Sequence, residues 1–206
     1  IRMTIVETRQ RRAGAGRRRD AALDAAVTVL VERGYEGTRF KDVAAVSGIA
    51  VSTLQVYFGS REDMLVEALL RSTAAEVEAM ERSAGQAAGG SWERLSALVD
   101  DGLNTPVRAW RMLMEFWGAA AHDDELRRHS ETLAARYRAP FTDAIHAGVG
   151  AGDFVPVADV DAVVDVLIAT LDGRMVPTVL ALHTQPTDAH RGVVHAQLRA
   201  VLGVRS

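Results

Sequence analysis

Guanidinium groups crowd one end of this chain. Residues 1–61 hold eleven Arg and Lys against six Asp and Glu, and Arg2, Arg9, Arg11, Arg12, Arg17, Arg18 and Arg19 face only Glu7 in the first nineteen positions. The whole chain has a formal net charge of −3, so the five-charge basic excess of residues 1–61 leaves residues 62–206 acidic by eight. Such asymmetry points to a phosphate-rich partner, a nucleic acid or a membrane surface, met by one end only. Catalytic chemistry has less to work with. The six histidines are His122, His129, His146, His183, His190 and His195. His190 and His195 are five positions apart, about 140° around a helix, and no HExxH pattern is present. His183 falls near an expected helix end, where a solvated imidazole is the ordinary state. Asp123, Asp124 and Glu125 read as acids that suit the positive end of a helix dipole. The GxGxG string Gly148–Gly152 lacks the strand–turn–helix context of a dinucleotide site. There is no GxSxG elbow and no phosphate loop. With no cysteine, disulfides, thiolate nucleophiles and cysteine-ligated metals are excluded. Neither an enzyme nor a cofactor or metal is expected.

The elements that must position the basic residues are helical. At 206 residues and 48% hydrophobic, the chain can fill a sizeable core, and its Ala, Leu and Val with 5% aromatics favour helices over sheet. Leu23, Ala26, Val27, Leu30 and Val31 form a stripe at helical spacing, predicting a helix over 17–33 closed by Gly34. Thr38 stands at an N-cap position before a short second helix stopped by Gly48. A turn over 47–50 precedes a third short helix over 51–58, and Ser60 caps a long helix over 61–83. Residues 84–91 read as a connection. Beyond it, helices are expected over 91–103, 106–121, 123–148, 159–182 and 187–202, about nine in all. Pro177 should kink the eighth, with Gly173 permitting close backbone approach. The arginines at the start are followed by no apolar signal-peptide core, and the longest apolar run, near 163–171, is too short for a bilayer of about 30 Å. A soluble, cytoplasmic protein without membrane contact is expected.

A long helix followed by two short ones joined by a glycine-containing turn, behind a basic arm, is the outline of a helix-turn-helix DNA reader. The run from Gly34 to Ala44, and then Ser47-Gly48-Ile49-Ala50-Val51-Ser52-Thr53-Leu54-Gln55-Val56-Tyr57-Phe58-Gly59-Ser60-Arg61-Glu62-Asp63-Met64-Leu65, resembles the DNA-binding domain of the TetR family of bacterial transcriptional regulators over residues 17–70. The resemblance implies an all-α, TetR-like fold: a reader over 1–62, and over 63–206 a helical domain for ligand binding and dimerisation. It implies a homodimer that binds a double-stranded palindromic operator, most simply as a repressor released by a small molecule. Within it, Arg17, Thr38, Arg39, Lys41, Thr53, Tyr57 and Arg61 supply donors or charge for phosphate oxygens. Val51, Ser52 and Gln55 are the base-edge candidates, Gln55 for adenine and Val51 for a thymine methyl. The arginine-rich arm suits the neighbouring minor groove. The family often has a serine, a lysine and an aromatic where this chain has Ala50, Val51 and Gln55, so no relative's operator transfers to it.

Residues 92–202 hold the three tryptophans and all the histidines. Trp110, Leu113, Met114 and Trp117 follow helical spacing and suit either ordinary core or the wall of an apolar chamber. Trp110, Met114, Trp117, Tyr137, Phe141 and Met175 make the expected lining, and His146 or Arg174 the polar anchor, for an apolar or aromatic effector. The alternative is a small-molecule-binding helical protein with a vestigial, non-specific helix-turn-helix.

Overall fold

The computed structural model describes residues 2–182 and 188–204, with side chains from residue 16 onward. His183, the Thr187 start of the expected last helix, and the side chains of Arg2, Arg9, Arg11 and Arg12 lie outside the described residues. Within them the chain is all-α: α1 (Arg2–Gly37), α2 (Phe40–Ser47), α3 (Val51–Phe58), α4 (Arg61–Gln86), α5 (Ser91–Leu103), α6 (Val107–Ala120), α7 (Asp124–Ala151), α8 (Val160–Asp172), α9 (Met175–Val179) and α10 (Asp188–Leu202).

The chain divides into two compact units, residues 1–72 with 115–129, and residues 73–114 with 130–206. In the first, α1 packs on α2 and α3 through Leu23, Leu30, Val43, Leu54 and Phe58, all buried. The backbone of the expected arm is helical and continuous with α1, as arginine and alanine favour. Gly34, at φ 74° and ψ 171°, breaks the helical path near its end. Gly48 closes α2 in the left-handed region, its N–H donating to the Ala44 carbonyl, as the glycine stop predicts. Ser60 caps α4: the Asp63 N–H donates to its Oγ at 2.9 Å.

In the second unit α5, α7, α8 and α10 enclose a core that includes Trp92, Leu95, Phe141, Ile145, Phe154, Leu167 and Leu198. The acids at the start of α7 act as a cap, since Asp123 Oδ1 accepts the Glu125 and Leu126 N–H groups at 2.8 and 3.1 Å. Asp159 does the same for α8, accepting from Asp161 and Ala162. The glycine string is packing, not a phosphate loop: a Cβ on Gly148 would fall 2.3 Å from the Phe154 ring, and the Phe154 N–H donates to the Gly148 carbonyl. The expected helix over 159–182 is present as α8 and α9. The break falls at Gly173–Arg174, a turn ahead of Pro177, because proline cannot donate to the Gly173 carbonyl.

Candidate nucleic-acid interface and effector site

The short α3 turns Leu54 and Phe58 inward and leaves Val51, Ser52, Gln55 and Val56 exposed, with Thr53 and Tyr57 half-buried at the margin. Arg17, Arg39 and Lys41 are exposed as well. Eight of the ten residues expected to meet DNA therefore present surface on one unit. Arg39 spends one donor on the Glu36 carbonyl at 2.6 Å.

Two expectations need correction. Thr38 is fully buried, and its hydroxyl donates to the Gly34 carbonyl at 2.8 Å. It neither reaches phosphate nor caps α2, whose N-cap is Arg39 with no side-chain bond. The kink at Gly34 turns the chain so that the threonine braces the joint from within. Arg61 is also turned inward. Its Nη1 donates to the carbonyls of Tyr35 at 2.7 Å and Thr38 at 3.3 Å, its Nε meets Glu62 at 2.8 Å, and its guanidinium lies 4.9 Å from the Tyr35 ring centroid. Through Nη1 and Nε it clamps the α1–α2 joint. Burial raises the Tyr35 phenol above its ordinary value, with Arg61 opposing.

Three residues missed in the sequence shape this surface. Glu115, on α6, accepts the Tyr35 N–H through Oε2 at 2.8 Å. Glu67 pairs with Arg19, whose guanidinium also lies 4.9 Å from the Phe58 ring centroid and so ties α1 to α3 and α4. Val56 is exposed on the outer face of α3, and nothing in its residue type marks it. The Glu115 contact spans 80 positions and carries no local pattern.

In the second unit the expected lining falls into several environments. Phe141 is fully buried in the core, edge-on to Tyr137 at 5.7 Å between centroids. Trp110 is buried, while Met114, Met175 and Arg174 are half-buried, with Arg174 Nε enclosed and lacking a hydrogen-bond partner. Trp117 is half-buried and belongs to the first unit. His146 is exposed on α7, one position past the fully buried Ile145, so it does not serve as an interior anchor. This interior is more polar than expected. Burial raises the Glu76 carboxyl, against an opposing Arg108, and burial likewise raises Asp172. The Tyr137 hydroxyl is enclosed, and burial, reinforced by Asp172 and opposed by Thr105, pushes it well above its usual range. A separate cleft of about 310 Å³ opens between the α5–α6 turn and α9, with Asn104, Thr105, Arg111 and Thr178 on its wall. An apolar groove of about 300 Å³ runs between α8 and α10, lined by Val157, Val166, Val194 and Val201 among others. Among the described residues no group of three or more His, Asp or Glu could hold a metal ion, and no helix is long and apolar enough to cross a membrane.

Comparison with known proteins matches both halves. Residues 22–68 fit the family model described as bacterial regulatory proteins, tetR family, and residues 91–203 fit that of the BetI-type transcriptional repressor, C-terminal. The HTH-type transcriptional regulator BetI of Rhizobium meliloti (strain 1021) is 28% identical over 195 residues, covering 89% of this chain and 90% of the relative. Among solved structures, FadR from Bacillus subtilis in complex with stearoyl-CoA superposes with a TM-score of 0.74 at 21% identity, over 90% of this chain and 98% of FadR. A transcriptional regulator from Saccharomonospora viridis in complex with choline gives 0.71 at 23%, over 91% and 98%. With a helix-turn-helix in the matched first segment and a repressor-type C-terminal region in the second, the chain belongs to the TetR family of bacterial transcriptional regulators, which are not enzymes.

Proposed function

We propose that this regulator is a homodimeric, ligand-responsive repressor that reads a palindromic operator with α3 and leaves it when a small molecule binds the helical body. The division of labour is residues 1–62 for reading and 63–206 for ligand and dimer. The observation that carries this reading is the exposed face of α3, where Val51, Ser52 and Gln55 stand free on a unit with exposed Arg17, Arg39 and Lys41. Cations position such a helix on phosphates, and side chains at the base edges select sequence. Half-sites about 34 Å apart require two reading helices, and the apolar α8–α10 groove is the surface for a second copy.

The effector we propose has an apolar body for Trp110, Met114 and the Tyr137–Phe141 pair, and a charged or donor group for Glu76, Asp172 and the Tyr137 hydroxyl. The complexes of the two structural relatives support a ligand of mixed character, because choline and stearoyl-CoA each join an apolar part to a charged one.

Fluorescence anisotropy with DNA from upstream of the gene, against a scrambled duplex at 150 mM salt, tests the reading. A preference of at least a hundredfold is expected. Equal affinity for both duplexes would leave the vestigial, non-specific helix-turn-helix as the better description. For the effector, choline and a long-chain acyl-CoA are the first probes in thermal shift. A stabilisation by either that Glu76→Gln removes supports the polar anchor.

A further inference from the structure

The outer face of α3 carries apolar surface that folding does not explain. Val56 is 83% exposed and Val51 36% exposed, while Leu54 and Phe58 on the same helix are 0% and 7% exposed. At about 100° per residue, Val51, Gln55, Ser52 and Val56 follow one another around an arc of about 140°, with the two valines at its edges and the polar pair between them. Valine is a poor choice for an exposed helical position. It loses side-chain freedom against the preceding turn and gains no burial there in return.

What covers this arc can be argued from charge. The face lies in the first unit, within a segment of five excess positive charges, and Arg17, Arg39 and Lys41 are exposed in the same unit. That suits a duplex and disfavours an apolar protein surface. In the major groove the group that rewards an aliphatic side chain is the thymine 5-methyl. We propose that Val56 is a specificity-determining residue that reads a thymine methyl, acting with Val51 so that each half-site carries thymines on both sides of the base that Gln55 meets. This rests on the DNA-reading function proposed above and adds to it a residue and a rule for the operator.

Deoxyuridine tests the idea directly, because it removes the 5-methyl and leaves pairing intact. Duplexes are selected from a random pool with the full-length protein, and each thymine of one half-site is then replaced singly by deoxyuridine. Wild type should lose about fourfold in affinity at two positions, the worth of one buried methyl at each. Val56→Ala should abolish the loss at one position and Val51→Ala at the other. Since alanine is the better helix former at exposed sites, both variants should fold. An enriched sequence that is indifferent to deoxyuridine, or a Val56→Ala protein that keeps the full methyl sensitivity, overturns this inference alone. No enriched sequence at all overturns sequence reading by this chain, and the inference with it.

Discussion

Glu115 holds the joint between α1 and α2 with a single carboxylate oxygen, which accepts the Tyr35 N–H at 2.8 Å. The residue before it, Gly34, has φ 74° and ψ 171°, a region open almost only to glycine, and a Cβ there would fall 2.8 Å from the same oxygen. Gly34→Ala should therefore cost about 1–3 kcal/mol from backbone strain before any displacement of Glu115, read as a Tm lowered by several degrees. Glu115→Gln keeps an acceptor and should melt close to wild type. Glu115→Ala leaves the amide without one and should lose about 1.5–3 kcal/mol; equal melting of the two variants would mean that the acceptor contributes nothing. Glu76 makes a pH-dependent prediction. Burial raises its carboxyl, so the folded chain holds that proton more tightly than the unfolded chain does. The associated stability is complete below the unfolded value of about 4 and is lost as pH rises through the folded one. Glu76→Gln should thus match wild type in thermal melts near pH 4 and exceed it near pH 7. An advantage that does not grow with pH would contradict the burial argument.

At the scale of elements, α3 shows how stability and reading separate on one short helix. Leu54 is fully buried, so Leu54→Ala should remove about 2–5 kcal/mol and lower the melting of the first unit in calorimetry. Gln55→Ala, one position on, should leave that melt unchanged and weaken only the preference for operator over scrambled DNA. A Gln55→Ala protein with an altered melt would place the glutamine in the fold instead. Periodicity and punctuation made these elements legible in the sequence: the Leu23–Val31 stripe, the Gly48 stop, the Ser60 cap and the Asp159 start all reflect local rules of spacing and backbone bonding. Tertiary geometry was not legible in the same way. Thr38 and Arg61 have side chains that suit a phosphate and suit a buried joint equally well, and the kink at Gly34 with the Tyr35 ring decides between them. The acidic interior at Glu76 and Asp172 was hidden for a related reason, since charged residues on amphipathic helices usually face water. Tyr137 and Phe141 carried their own signal, yet one type of aromatic residue serves core and chamber alike.

On the whole-molecule scale, the two-fold operator proposed above asks for two reading helices, and the apolar α8–α10 face offers the means. Val157, Val166 and Val193 are 76%, 69% and 56% exposed, and the first two line the groove between those helices. Large apolar side chains exposed on α8 and α10 support the dimer contact proposed above. Wild type is expected to sediment as a dimer at micromolar concentration. Val166→Arg places a cation against its own symmetry mate in such a contact, where an unpaired charge is costly to desolvate. That variant should sediment as a monomer while its helical circular dichroism stays unchanged, because Val166 contributes little to the protomer core. Its operator affinity should fall by about a hundredfold or more, as two linked half-site contacts become one, while its affinity for an isolated half-site should remain that of one wild-type protomer. A Val166→Arg protein that stays dimeric and binds the full operator as wild type does would move the subunit contact away from α8 and α10.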